Sequence, residues 1–210
     1  MQQRSGTAFF TPKQPVISLE DRESALKEIA KKSYKELLST IILITNEGMQ
    51  LTADKPHLQN AFIFLQYAKN FFQEARQNAN LSLFQNIKFI KELSKEIIIS
   101  KFETLVNNAQ SISVTEESLR LFSELALWLE GLYRLTYDDP MIKKDESGKV
   151  IQNQNGGHIC IDHEDRLLQI STGISKLQIA EYYVKAAETI RGKVEEYNMR
   201  QVIAPASPHK

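Results

Sequence analysis

His158, Cys160, Asp162, His163 and Asp165 place imidazole, thiol and carboxylate groups within one short stretch of the chain. Such donors can together hold zinc, which takes nitrogen, sulfur and oxygen ligands in a tetrahedron. On an extended strand His158, Cys160 and Asp162 share one face, because side chains alternate. The spacing is unlike that of the common zinc modules, and a second pair of ligands has to come from elsewhere. Cys160 is the only cysteine. Acting as a nucleophile it would need a base and an oxyanion site, which the nearness of His158 or His163 in sequence does not establish. The sequence therefore reads first as a structural hairpin with a polar tip. The competing reading is a small enzyme or metal or ligand binder with a site at His158, Cys160, Asp162 and His163.

Other groups with catalytic side chains have simpler roles. Asp138-Asp139 and Glu116-Glu117 resemble acid/base pairs, but they fall at an expected helix end and start, where capping and solvation account for them. Asn155-Gly156-Gly157 lacks the glycine spacing and strand-to-helix setting of a phosphate loop, so it reads as a turn. Lys27, Lys31, Lys32 and Lys35 make a basic edge, broken by Glu28 and Glu36 at spacings that allow pairing within a helix; a solvated face is expected. A nucleic-acid-binding bundle centred on Lys31 and Lys35 is a third reading. The overall balance argues against it: 26 basic residues face 26 acidic ones, which leaves no field to gather polyanions. No cofactor is expected.

Hydrophobic residues make up 42% of the chain and charged residues 25%, the composition of a folded protein with its own core. Length favours one domain. A lone cysteine suits a reducing compartment, and with no signal-peptide core or membrane span a cytoplasmic location is expected. The 21 isoleucines, with abundant Asn and Gln, point by composition to an AT-rich bacterial source.

The expected fold is mainly α: an antiparallel bundle of about five helices with a small β-hairpin insertion before the last. Residues 1–17 read as a flexible leader with Phe9 and Phe10 as its bulky apolar groups, 18–200 as one helical domain, and 201–210 as a flexible tail. The first helix opens at Ser18 and carries Leu26, Ile29, Leu37, Ile41 and Ile44 to a left-handed stop at Gly48. The second opens near Asp54 with Pro56 in its first turn, and lines up Leu58, Ala61, Phe62, Leu65, Ala68, Phe72 and Ala75. The third begins at the capping pattern Ser82–Gln85 and follows Ile97, Lys101 and Leu105 to about Ala109. The fourth repeats that pattern at Ser113–Glu116 and buries Leu119, Phe122, Leu125, Ala126, Leu129, Leu132 and Tyr133. The insertion spans 141–172. In it Met141–Lys144 pairs with Lys149–Gln152 about the turn Asp145–Gly148, and His158–Asp162 pairs with Leu167–Ser171. The fifth helix runs from about Gly173 to Arg200.

A second stripe on the fourth helix, Leu121, Trp128 and Leu135, lies away from the first and needs a cover. The last helix, the insertion or a partner can supply it, since aromatic anchors in apolar patches are what interfaces use. With no chemistry demanded by spacing and apolar surface to spare, the function expected is that of a non-enzymatic helical adaptor or scaffold subunit. Its partners would be proteins in a multi-subunit complex, met through Leu121, Trp128, Leu135, Phe9 and Phe10. A bacterial chaperone-like adaptor of protein delivery is one concrete form.

Overall fold

Ser33 splits what apolar spacing alone would join. Its hydroxyl accepts from the Glu36 backbone N–H at 3.3 Å, and the Glu36 carboxylate accepts from the Ser33 N–H at 2.7 Å. This reciprocal cap starts a new helix where a continuous first helix was expected. In the computed structural model, which describes residues 19–79, 95–137, 144–149, 151 and 163–203, the helices are α1 (Leu19–Ile29), α2 (Tyr34–Thr52), α3 (Gln59–Ala79), α4 (Lys95–Gln110), α5 (Leu119–Tyr137), α6 (His163–Thr172) and α7 (Lys176–Ile203). Pro56–Leu58 forms a 3-10 turn leading into α3. There is no strand among the described residues, and no helix among them is long and apolar enough to cross a membrane.

Gly48 does not stop α2. It lies buried inside the helix, and a Cβ placed on it would stand 2.7 Å from Leu121 Cδ2 and 2.9 Å from Leu65 Cδ1. Its role is close packing of α2 on α3 and α5. The helix ends four residues later, and Asp54 takes the left-handed conformation at φ 59°.

The main packing partners are α2 with α3, α3 with α4, α4 with α7, α7 with α5, and α5 with α2, while α1 lies on α5. The core fills with Leu37, Leu38 and Ile41 from α2, Phe64, Leu65 and Phe72 from α3, and Phe122, Leu125 and Leu129 from α5. Ala186, Ala187 and Ile190 complete it from α7. Phe64 and Phe122 meet at 6.3 Å between ring centres. On α3 the expected Ala61, Leu65, Ala68 and Phe72 are buried; Phe62 is only half-buried, and Phe64 takes its place in the core.

On α4 the inward residues are Phe102, Leu105 and Ala109; Ile97 is exposed, and Lys101 pairs with Glu74 of α3 at 2.6 Å. Of the stripe expected through Ile97, Lys101 and Leu105, Leu105 is buried, whereas Ile97 in the first turn is exposed and Lys101 sits at the helix edge, where it reaches a carboxylate. Ser113 does not cap α5. A turn over 116–118 intervenes, and the Ser118 carbonyl receives the first helical bond, from the Phe122 N–H at 3.1 Å. The starts expected at Ser18 and Ser82 lie outside the described residues.

The strand expected over Leu167–Ser171 is helical, as part of α6. Buried positions fall at Asp165 and Thr172, with Leu168 half-buried between them and Ile170 open, a helical period rather than an alternating one. Gly173, at φ 71°, ends α6 by donating its N–H to the Gln169 carbonyl at 2.8 Å. Ser175 then opens α7 in a second reciprocal cap with Gln178, at 3.0 and 2.9 Å. Of the first expected hairpin, the turn is present. Asp145 Oδ1 accepts from the Ser147 and Lys149 N–H groups, both at 2.9 Å, and Gly148 sits at φ 80°. The strand His158–Asp162 lies outside the described residues.

Candidate interaction site

The stripe Leu121, Trp128 and Leu135 on α5 is half-buried, and all three side chains pack against the core. Leu121 faces Gly48 of α2. Three turns further along α5, Gly131 faces Ile29 of α1 and Leu37 of α2. α2 thus covers Leu121, and by helical spacing Trp128 lies on the same flank. The turn 144–149 covers the end of α5 instead: the Tyr137 hydroxyl donates to the Gly148 carbonyl at 2.6 Å, and Lys144 Nζ stands 3.9 Å from the centre of the Tyr137 ring. Phe9 and Phe10 lie outside the described residues.

The same helix carries, on another face, a charged cluster that sequence reasoning missed. Glu130, with 8% of its side chain exposed, accepts from Arg22 of α1, from Arg191 of α7 at 3.2 Å and from Arg134 of its own helix at 3.3 Å. Arg134 also grips Glu23 of α1 with two bonds, at 2.7 and 3.1 Å. That grip holds the Glu23 carboxyl below its ordinary range. The planar guanidinium suits such shared, bidentate contacts. A glutamate four residues after Ala126 on an apolar stripe was the available signal, but Arg22 and Arg191 become its neighbours only through tertiary packing.

A second, partly buried polar contact joins Tyr34 of α2 to Tyr183 of α7, hydroxyl to hydroxyl at 3.1 Å. Phe72 and Phe102 pack against Tyr183 with ring centres 5.9 and 5.6 Å away. Burial pushes both phenols above their ordinary value, so they stay neutral and act as a hydrogen-bonded brace within an aromatic junction.

Among the described residues the surface also carries large apolar groups that stand exposed. The last core residue of α7 is Val194, yet the helix continues to Ile203 with Met199 59% and Val202 86% exposed. At 1.5 Å per residue those final nine positions extend roughly 14 Å.

The residues with ligand chemistry gain no geometry. His158, Cys160 and Asp162 lie outside the described residues, and His163 begins α6. Among the described residues no group of three or more His, Cys, Asp or Glu is placed to hold a metal ion. Asp165 is committed to structure: fully buried, it accepts from the Lys176 N–H at 2.8 Å and from Gln169 Nε2 at 3.2 Å. The basic edge is divided by the break before α2, and Lys31 pairs with Glu28 at 2.6 Å. No protein-family model, curated protein or solved structure matches this chain.

Proposed function

We propose that this protein is a non-enzymatic helical adaptor or scaffold subunit, built on an antiparallel bundle of five long helices, that offers helix surfaces to protein partners in a larger assembly. The observation that carries the reading is the end of α7, where a regular helix outlasts the core and bears Met199 and Val202 in the open. Large side chains held on a rigid helix lose less conformational freedom on binding than the same groups on a loop. The half-buried α5 flank of Leu121, Trp128 and Leu135 serves as a second contact surface in this reading. A chaperone-like adaptor of protein delivery in a bacterial cytoplasm is one concrete form of it, for which composition supports the bacterial source alone.

Site-specific photocrosslinking in the native cell tests the reading. A crosslinker at Met199 or Val202 is expected to yield a discrete protein adduct, whereas one at exposed Glu188, on the bundle-level part of α7, is not. Equal labelling from all three sites, or none, would refute it. Should Trp128→Ala and Leu121→Ser leave every partner contact intact in a folded protein, the α5 flank is no part of the interface.

A further inference from the structure

We propose that α1 is a hinged clasp, a helix that docks on α5 through ion pairs and swings away about residues 30–33 while the remaining helices stay folded. Four independent features of the structure support this.

The first is local. The reciprocal cap of Ser33 and Glu36 starts α2 without help from α1, so the joint between them is a ready-made helix boundary. Backbone bonds from Ala30 to Leu26, Lys31 to Glu28 and Lys32 to Ile29 close the end of α1.

The second is the small apolar hold. Among the described residues α1 packs principally on α5. Among its residues of described burial, Leu26 and Ile29 are the buried apolar ones, and of these Ile29 joins the main core cluster.

The third is the nature of the fastening. Arg22 reaches Glu130 and Glu23 reaches Arg134, with side chains 24% and 46% exposed on the α1 side. Partly exposed pairs of this kind weaken as salt screens them.

The fourth is what undocking leaves behind. Glu130 is the most buried charge in the cluster, and it keeps Arg191 of α7 and Arg134 of its own helix when Arg22 departs. Release of α1 thus strands no carboxylate in the interior, which is the event that usually makes opening a buried ion pair prohibitive. Gly131 completes the device. A Cβ there would lie 2.4 Å from Ile29 Cγ2, so the missing side chain is the slot that Ile29 fills.

Hydrogen exchange on the full chain tests the proposal, comparing amides of residues 21–30 with those of α2. In the wild type, α1 is expected to exchange about tenfold faster than the centre of α2, since local opening requires less than global unfolding. Raising salt from about 0.05 to 1 M, which shortens the screening length to about 3 Å, is expected to accelerate α1 alone. Gly131→Ala closes the slot and is expected to abolish protection in α1 while α2 and α5 retain theirs. Arg22→Ala removes one fastening from the α1 side, and it decides the matter if Gly131→Ala does not fold. The clasp is overturned if α1 and α2 exchange together under all these conditions, or if a folded Gly131→Ala or Arg22→Ala protein protects α1 as the wild type does.

Discussion

Replacing Glu130 by glutamine keeps the size of the side chain and removes the carboxylate that Arg22, Arg134 and Arg191 share. Breaking a fully buried ion pair costs about 3–5 kcal/mol, because the surviving charge remains in a poorly polarisable interior. Here the three guanidinium side chains are 24%, 29% and 32% exposed, so each can turn partly to water once the carboxylate is gone. Arg134 also keeps Glu23. Discounting for that solvation, the expected loss is about 2 kcal/mol. Urea unfolding followed by helical circular dichroism reads it directly: with a slope of about 2 kcal/mol per molar, the midpoint falls by about 1 M. A double-mutant cycle of Glu130→Gln with Arg191→Ala should show coupling of about 1 kcal/mol, since the two groups are in contact. A midpoint within about 0.2 M of wild type, or strictly additive losses, would refute the view that this carboxylate ties three helices together.

Gly48→Ala gains about 1 kcal/mol of helix propensity but forces a methyl against Leu121 and the fully buried Leu65. Overpacking costs about 1–3 kcal/mol. A net loss of about 1 kcal/mol in chemical unfolding is therefore expected, partly recovered when Leu121→Ala is added. Asp165→Ala removes a buried acceptor from the first turn of α7, at a cost of about 2 kcal/mol, and faster exchange of the Lys176 amide would locate the damage. Hydrogen bonds from Lys55 and then His57 hold the Glu117 carboxyl below its ordinary 4.5. A depressed carboxyl stabilises the fold above its unfolded value, and that contribution disappears as pH falls through the folded value. Stability measured between pH 6 and pH 3 should accordingly fall less steeply in Lys55→Gln than in the wild type.

Much of the fold was legible because helices announce themselves locally. The spacing of Phe122, Leu125, Leu129 and Leu132 marks a buried face of α5 whatever it packs against, and those residues are buried. Pro56 in a helix's first turns and the turn at Asp145–Gly148 are equally local, resting on the conformational limits of proline, aspartate and glycine. The break at Ser33 was legible too, since Ser-x-x-Glu is the same pattern that was read elsewhere; the apolar spacing running through it masked the cap. At Leu167–Ser171 a short apolar run fits both periods, and what favours the helix, a buried Asp165 bound to the start of α7, is a contact across a turn.

What the sequence determined by itself is therefore a chain of amphipathic helices with balanced charge and apolar surface to spare. Tertiary structure alone decided the rest. Whether Gly48 stops a helix or admits a neighbour depends on which side chain lies over it, and Leu121 is 73 positions away. Whether Glu130 is a solvated charge or the centre of a cluster depends on Arg22 and Arg191, brought in from two other helices. Periodicity encodes which face is buried; it carries no information about the partner that buries it.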